Sequence, residues 1–373
     1  MEAAHASVRR ARPLLGTFVE IAVAGATISA MEAAVEAAFA AVATVHWLMS
    51  FHEATSDVSR LNRDAWSGAI MVHGWTYQVL ETALDLNRRS AGMFDVAVAP
   101  ALQDMGLLPR GPDLSSASPS PRLPSGRLRP STTGYGEGRG EGAFPQARTR
   151  GEPPSPAPTL PSPADGGGKG GGDLSPQARR GEGCGQFRLP GDAYDAIQLL
   201  PENHVRFAHR GVNIDLGGIA KGFAVDRAIE ALRHHGIAEG LVNAGGDLAA
   251  FGPRRHPVDI RDPRHPDRPM CHVVLSNAAL ASSAGQYDPS RSDRPSSSAI
   301  VDPLTGRPSH TIRGATVCAP CCVIADALTK VVVNAGEGAA ALLEHYGASA
   351  LFVSAQGRVH VTTDWRNEVR FAA

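Results

Sequence analysis

Cysteine is scarce in this chain, with five in 373 residues. That excludes a disulfide scaffold, and the odd number leaves at least one thiol without an internal partner. Three of the five, Cys318, Cys321 and Cys322, form a CxxCC run. No histidine or fourth thiolate stands close enough in sequence to complete a local tetrahedral zinc site, so they read as buried structural thiols. Long apolar runs are also missing near the start. Arg9 and Arg10 are followed by Leu14 to Ala24, a stretch broken by Gly16, Thr17 and Glu20, which predicts neither a secretory signal nor a membrane span. The expected location is cytoplasmic. Neither charge is in excess: 36 basic and 37 acidic side chains give a net charge of -1, so nothing points to nucleic acid or to a polybasic membrane contact.

What is present is enough for a core, since 43% of residues are hydrophobic. The exception is Pro109 to Gln186, where 40 of 78 residues are Gly, Pro or Ser and no apolar periodicity appears. Such a tract cannot recover its ordering entropy through burial. It reads as a flexible insertion at 109–186 that divides one domain into an N-terminal part, 1–108, and a remainder, 187–373.

Within those parts the pattern predicts a strand over Thr17 to Val23 and a helix capped by Ser29, with Glu32 three residues on. Met49 to Asn62 reads as a polar turn. A helix follows over Trp75 to Arg89, and a strand-like piece over Gly92 to Pro100. Downstream come a hairpin (Ala196 to Leu200, Val205 to Ala208) and short strands over Val258 to Ile260, Cys271 to Leu275, Leu280 to Ser283 and Ala315 to Val317. Helices are expected over Ile324 to Asn334 and Gly338 to Tyr346, with strands at Leu351 to Val353 and Val359 to Thr362. The irregular alternation indicates an α+β fold rather than repeated βαβ units.

The most informative stretch is Gly211 to Gly252. Val212, Ile214 and Leu216 alternate with polar positions, which predicts a strand carrying Asp215 toward a ligand and broken by Gly217 and Gly218. An amphipathic helix from Ala220 to His235 follows, stopped by Gly236, and its first amides together with Lys221 would favour phosphate. A second strand at Leu241 and Val242 ends in Asn243-Ala-Gly-Gly-Asp247, whose glycines permit close ligand approach. No dinucleotide fingerprint or P-loop pattern occurs in this block. Further on, Asp326, Thr329 and Lys330 fall on one helical face, and a carboxylate with a hydroxyl suits magnesium. An Asp-Lys ion pair near a helix start accounts for the same spacing.

The order of motifs resembles the ApbE family of FAD:protein FMN transferases. It runs through Leu15-Gly-Thr17, Ser56-Asp-Val-Ser-Arg-Leu-Asn62, Gly92-Met-Phe-Asp95, Asp215-Leu-Gly-Gly-Ile-Ala-Lys-Gly222, Asn243-Ala-Gly-Gly-Asp247, Val301-Asp-Pro-Leu-Thr-Gly306 and Ala325-Asp-Ala-Leu328. The resemblance implies a T-fold-like scaffold of mixed or antiparallel sheets and packed helices. It also implies magnesium-dependent transfer of FMN from FAD to a Thr or Ser hydroxyl of a target protein, with release of AMP. By match to the pattern, Asp326, Lys221 and Lys330 would act in catalysis. Gly218, Lys221, Asp226, Gly246, Asp247 and Asp302 would hold FAD, and Ala220, Asp326 and Thr329 would bind Mg2+.

Three departures accompany it. Lys330 stands where the family usually has Thr, with Thr329 one place earlier, a shift of about 100° around a helix. Ala284 and Gln286 alter a Ser-Gly-Asp-Tyr pattern, and Ala299 replaces a histidine. An FAD pyrophosphatase giving FMN and AMP, or a non-catalytic FAD-binding protein, are the alternative expectations.

Overall fold

Eight antiparallel strands form one sheet with a core on each of its faces. The computed structural model describes residues 6–110, 195–284, 300–366 and 368–372. Beyond its first two residues the 109–186 tract, with Cys184, lies outside them, as do Gln286 and Ala299. The described residues on either side of that tract belong to a single unit.

The sheet runs in the order β1 (Ser7–Leu14), β2 (Thr17–Ala24), β6 (Glu239–Ala244), β7 (Asp247–Phe251), β10 (Ala279–Ala284), β13 (Ile312–Ala319), β14 (Ser349–Ser354) and β15 (Val359–Val361). One face is covered by helices. On α1 (Ile28–Met49), Met31, Ala34, Val35, Ala38, Phe39, Val42 and Val45 recur at helical spacing and are buried. They pack along α5 (Ala220–His234), which in turn crosses α6 (Cys322–Ala335). By length and composition alone α1 could cross a membrane. Here its apolar stripe belongs to the protein core.

The other face is covered by a ribbon of β8 (His256–Asp262), β9 (His265–Leu275) and β16 (Arg370–Phe371). Ile260, Met270, Cys271, Val273 and Leu275 of the ribbon meet Leu248, Ala250, Leu280, Leu351 and Val353 of the sheet. Cover on both faces explains why β7, Asp-Leu-Ala-Ala-Phe, is buried at every position instead of alternating.

Several expectations are corrected. Val212, Ile214 and Leu216 are buried, but the 211–216 segment joins no sheet among the described residues. Its backbone is held at two points instead: the Asp215 N–H donates to the Val96 carbonyl at 2.8 Å, and Asn62 accepts from the Ile214 N–H at 2.7 Å and donates to the Ile214 carbonyl at 2.9 Å. Asn62 lies on α2 (Asp57–Asp64), a helix within and beyond the segment expected to be turn, capped by the Ser56 hydroxyl. Gly92 to Pro100 forms turns that lead into α4 (Ala99–Asp104), while the helix before it, α3 (Gly74–Arg89), stands as expected. The cap of α1 is Thr27, not Ser29, and Glu32 pairs with Arg10 on β1 rather than closing a capping box.

One feature of register opens the site. β10 pairs with β7 only at Ala279 and Leu280, so Ser282 to Ala284 run on past the start of β7 while still paired to β13.

Candidate functional site

The site is built where α5 and α6 touch. A Cβ on Gly222 would stand 2.2 Å from the Cys322 carbonyl oxygen and 2.7 Å from the Asp326 Cβ, so only glycine lets the helices approach this closely. At that contact the Gly222 N–H donates to Asp326 Oδ2 at 2.9 Å. Asp226, one turn further along α5, returns the arrangement by accepting the Cys322 and Val323 N–H groups, each at 2.8 Å. The residue at the N-cap of α6, Cys321, makes no side-chain cap of its own. Each carboxylate therefore meets amides that the other's helix cannot pair internally.

Two lysines neutralise the buried acids. The Lys330 Nζ pairs with Asp326 Oδ1 and donates to the Asp326 carbonyl at 3.0 Å. Lys221 Nζ pairs with Asp247 Oδ2. Both carboxylates are wholly buried, while Lys330 and Lys221 keep 17% and 31% of their side-chain exposure and so reach the surface of the site. Burial, and then the charge of Asp326, push the Asp247 carboxyl up to about 6. Its Oδ1 has no hydrogen-bond partner among the described residues. Burial disfavours the Lys221 ammonium, but Asp326 and Asp247 outweigh that and raise its pKa.

Both lysines line a cavity of about 320 Å³ with Phe94, Asp215, Gly217 and Gly218. A larger one, about 870 Å³, lies between the sheet and the β8–β9 ribbon, with Asn243, Gly245 and Gly246 on its wall. Ser282, Ser283 and Ala284 of β10 line both. Together the two are the right size for a dinucleotide-like ligand with a charged middle.

The family model for the ApbE family matches residues 15–132 and 186–352. The chain belongs to the ApbE family. Among its relatives is an FAD:protein FMN transferase of Treponema pallidum, 32% identical over 182 residues, which are 44% of this chain and 50% of that protein. Another, from Rhodobacter capsulatus, is 31% identical over 170 residues, 44% of this chain and 32% of that protein. The chain thus spans about half the length, or less, of the curated relatives it matches. The ApbE protein of Thermotoga maritima superposes with a TM-score of 0.69 at 21% identity, covering 97% of this chain and 99% of that one. The flavin transferase ApbE of Vibrio cholerae gives 0.64 at 19%, covering 98% and 99%. These likenesses establish the fold.

The structure brings most of the residues expected from the ApbE pattern together, though not all in the expected setting. Gly218 and Lys221 face the smaller cavity and Gly246 the larger. Asp247 lies beneath, holding Lys221. Asp226 is turned away from both and holds α6. Asp302 forms a turn, accepting from the Leu304 N–H at 3.0 Å and the Thr305 hydroxyl at 2.9 Å, while its neighbours Val301 and Pro303 line the cavity. The start of α5 is not the open phosphate cradle that the sequence suggests: the Ala220 amide bonds Leu216 at 2.8 Å and the Gly222 amide bonds Asp326.

A divalent ion does not fit the ligand set as it stands. One oxygen of Asp326 holds a backbone amide and the other an ammonium. The Thr329 hydroxyl is engaged by Ser283 Oγ at 2.8 Å and donates to the Asp326 carbonyl at 2.7 Å. Ala220 is the first residue of α5, so its carbonyl belongs to that helix's own ladder. Among the described residues no three His, Cys, Asp or Glu side chains converge as a metal site would need. A divalent ion about 4 Å from the ammonium would meet a repulsion of roughly 8 kcal/mol at an effective dielectric of about 20.

Asp215, expected to face a ligand, does line the smaller cavity, its amide donating to the Val96 carbonyl at 2.8 Å, and burial raises its pKa. One cavity residue escaped the sequence reading of the site. Asn334 donates to the Met93 and Val301 carbonyls, each at 3.1 Å, and nothing in its local sequence marks it.

Proposed function

We propose that this chain transfers the FMN half of FAD to a Thr or Ser hydroxyl of an acceptor protein and releases AMP. The observation that supports this most is the pair of ammonium groups, Lys221 and Lys330, converging on one cavity of an ApbE-family fold. A pyrophosphate there would meet two cations on buried, fixed carboxylates, which aim charge at the developing phosphoryl oxygens. One of the ligand's flat halves occupies the neighbouring 870 Å³ cavity.

In the reaction the acceptor oxygen bonds to the FMN phosphorus while the bond from that phosphorus to the bridging oxygen breaks. AMP leaves with the bridging oxygen. Asp215, the carboxylate on the cavity wall whose proton affinity burial raises, takes the hydroxyl proton. Lys221 and Lys330 hold the non-bridging oxygens.

Incubation of the purified chain with FAD and a panel of hydroxyl-bearing acceptor proteins tests this. The expected products are an acceptor heavier by one FMN phosphoryl unit and one AMP per adduct. FMN and AMP formed equally without any acceptor would mark a hydrolase instead, and FAD bound without turnover a binding protein.

A further inference from the structure

We propose that the Lys330 ammonium stands in place of a divalent cation, so that this site takes up the pyrophosphate of FAD without one. The inference rests on the FAD reading above and concerns how the same site holds the phosphates.

Lys330 lies one helical turn after Asp326, and its Nζ sits on the side-chain oxygen and the main-chain oxygen of that residue together. Those are the two oxygens that Asp326 could offer a cation at this point of the cavity. An ammonium has three donors, so two such contacts leave one for a ligand. The stem is seated too: Cε would lie 3.5 Å from a Cβ on Gly218, so the lysine packs over the turn that precedes α5. The neighbouring hydroxyl is turned elsewhere, since Thr329 engages Ser283 on β10 and its own helix carbonyl. Lys221 supplies a second ammonium to the same cavity, anchored on Asp247. Asp326 and Asp247 each already hold an ammonium, so a divalent ion at either would be set against a fixed positive charge.

The test measures binding rather than turnover. Mn2+ is titrated into the protein without FAD and followed by electron paramagnetic resonance. FAD binding is followed by flavin fluorescence in EDTA and in excess Mg2+. The wild-type chain is expected to bind no stoichiometric Mn2+, and its FAD affinity to change less than about twofold between the two conditions. Lys330→Met should weaken FAD binding about tenfold or more in EDTA. Lys330→Thr should gain a Mn2+ site and an FAD affinity that rises with Mg2+. One Mn2+ bound by the wild type and lost in Asp326→Asn would overturn the inference, as would an FAD affinity that rises about tenfold with Mg2+. In that last case the FAD reading survives. Failure to bind FAD in either condition would remove that reading and the inference with it. The wild-type arms decide the matter even if a variant does not fold.

Discussion

Asp226 and Asp326 cap each other's helices: Asp226 of α5 accepts the first amides of α6, and Asp326 of α6 accepts the Gly222 amide of α5. Two acids that the ApbE pattern assigns to the site thus also lock the helix crossing, and the lysine that answers Asp326 emerges at the cavity. Fold and chemistry share the same carboxylates.

The pH response of Asp226 follows from its burial, which lifts the carboxyl from 3.8 to about 6 in the folded protein. The folded state therefore holds a proton that the unfolded state has lost between those values. The stability associated with it is full below about pH 3.8 and declines as pH rises through about 6, by up to about 3 kcal/mol. Asp226→Asn should flatten this part of the pH–stability curve measured by urea unfolding. An unchanged slope between pH 4 and 6 would show that Asp226 does not carry it.

Gly222→Ala should be among the most damaging small substitutions in the chain. The new methyl meets backbone at the Cys322 carbonyl rather than a flexible side-chain tip, so the helices must part. A loss of about 1–3 kcal/mol or more is expected in denaturant unfolding. Wild-type stability would mean that α5 and α6 are not this close.

Asp326→Asn keeps the shape and can keep the Gly222 bond, but strands the Lys330 ammonium, only 17% exposed. About 3–5 kcal/mol should be lost. Adding Lys330→Met to that variant should restore much of it, since the buried charge is then gone. Additive losses in the double variant would refute direct pairing.

Lys221→Met removes the cation that holds Asp247 ionised. The Asp247 carboxyl, already near 6, should rise further, so the variant should be more impaired at pH 7 than at pH 5 relative to wild type. Thermal melting at the two pH values checks this; an equal deficit at both would count against the pairing.

Much of the fold was legible because its signals were local. The helix after Gly217 and Gly218, stopped by Gly236, and the helix around Asp326 lie within a residue or two of their expected limits. What was not legible depended on distant partners. The 211–216 segment has the period of a strand, yet its distant partners are the Val96 carbonyl for Asp215 and the Asn62 side chain, 152 positions away, for Ile214. The acid-rich helix contact reads as a ligand set in one dimension, and only the crossing of α5 and α6 shows which oxygens are already engaged. Lys330 was visible both as a departure and as an i,i+4 partner of Asp326, and the structure forms that ion pair; its place on the cavity wall was not legible.

The most direct measurement is a crystal structure of the chain with FAD. The account predicts the pyrophosphate in the cavity between the two lysines, with a phosphate oxygen within about 3 Å of both Lys221 Nζ and Lys330 Nζ and the Asp226–Asp326 exchange intact. FAD bound with its phosphates away from both lysines, or held there by a metal on Asp326 with Lys330 turned into solvent, would contradict it.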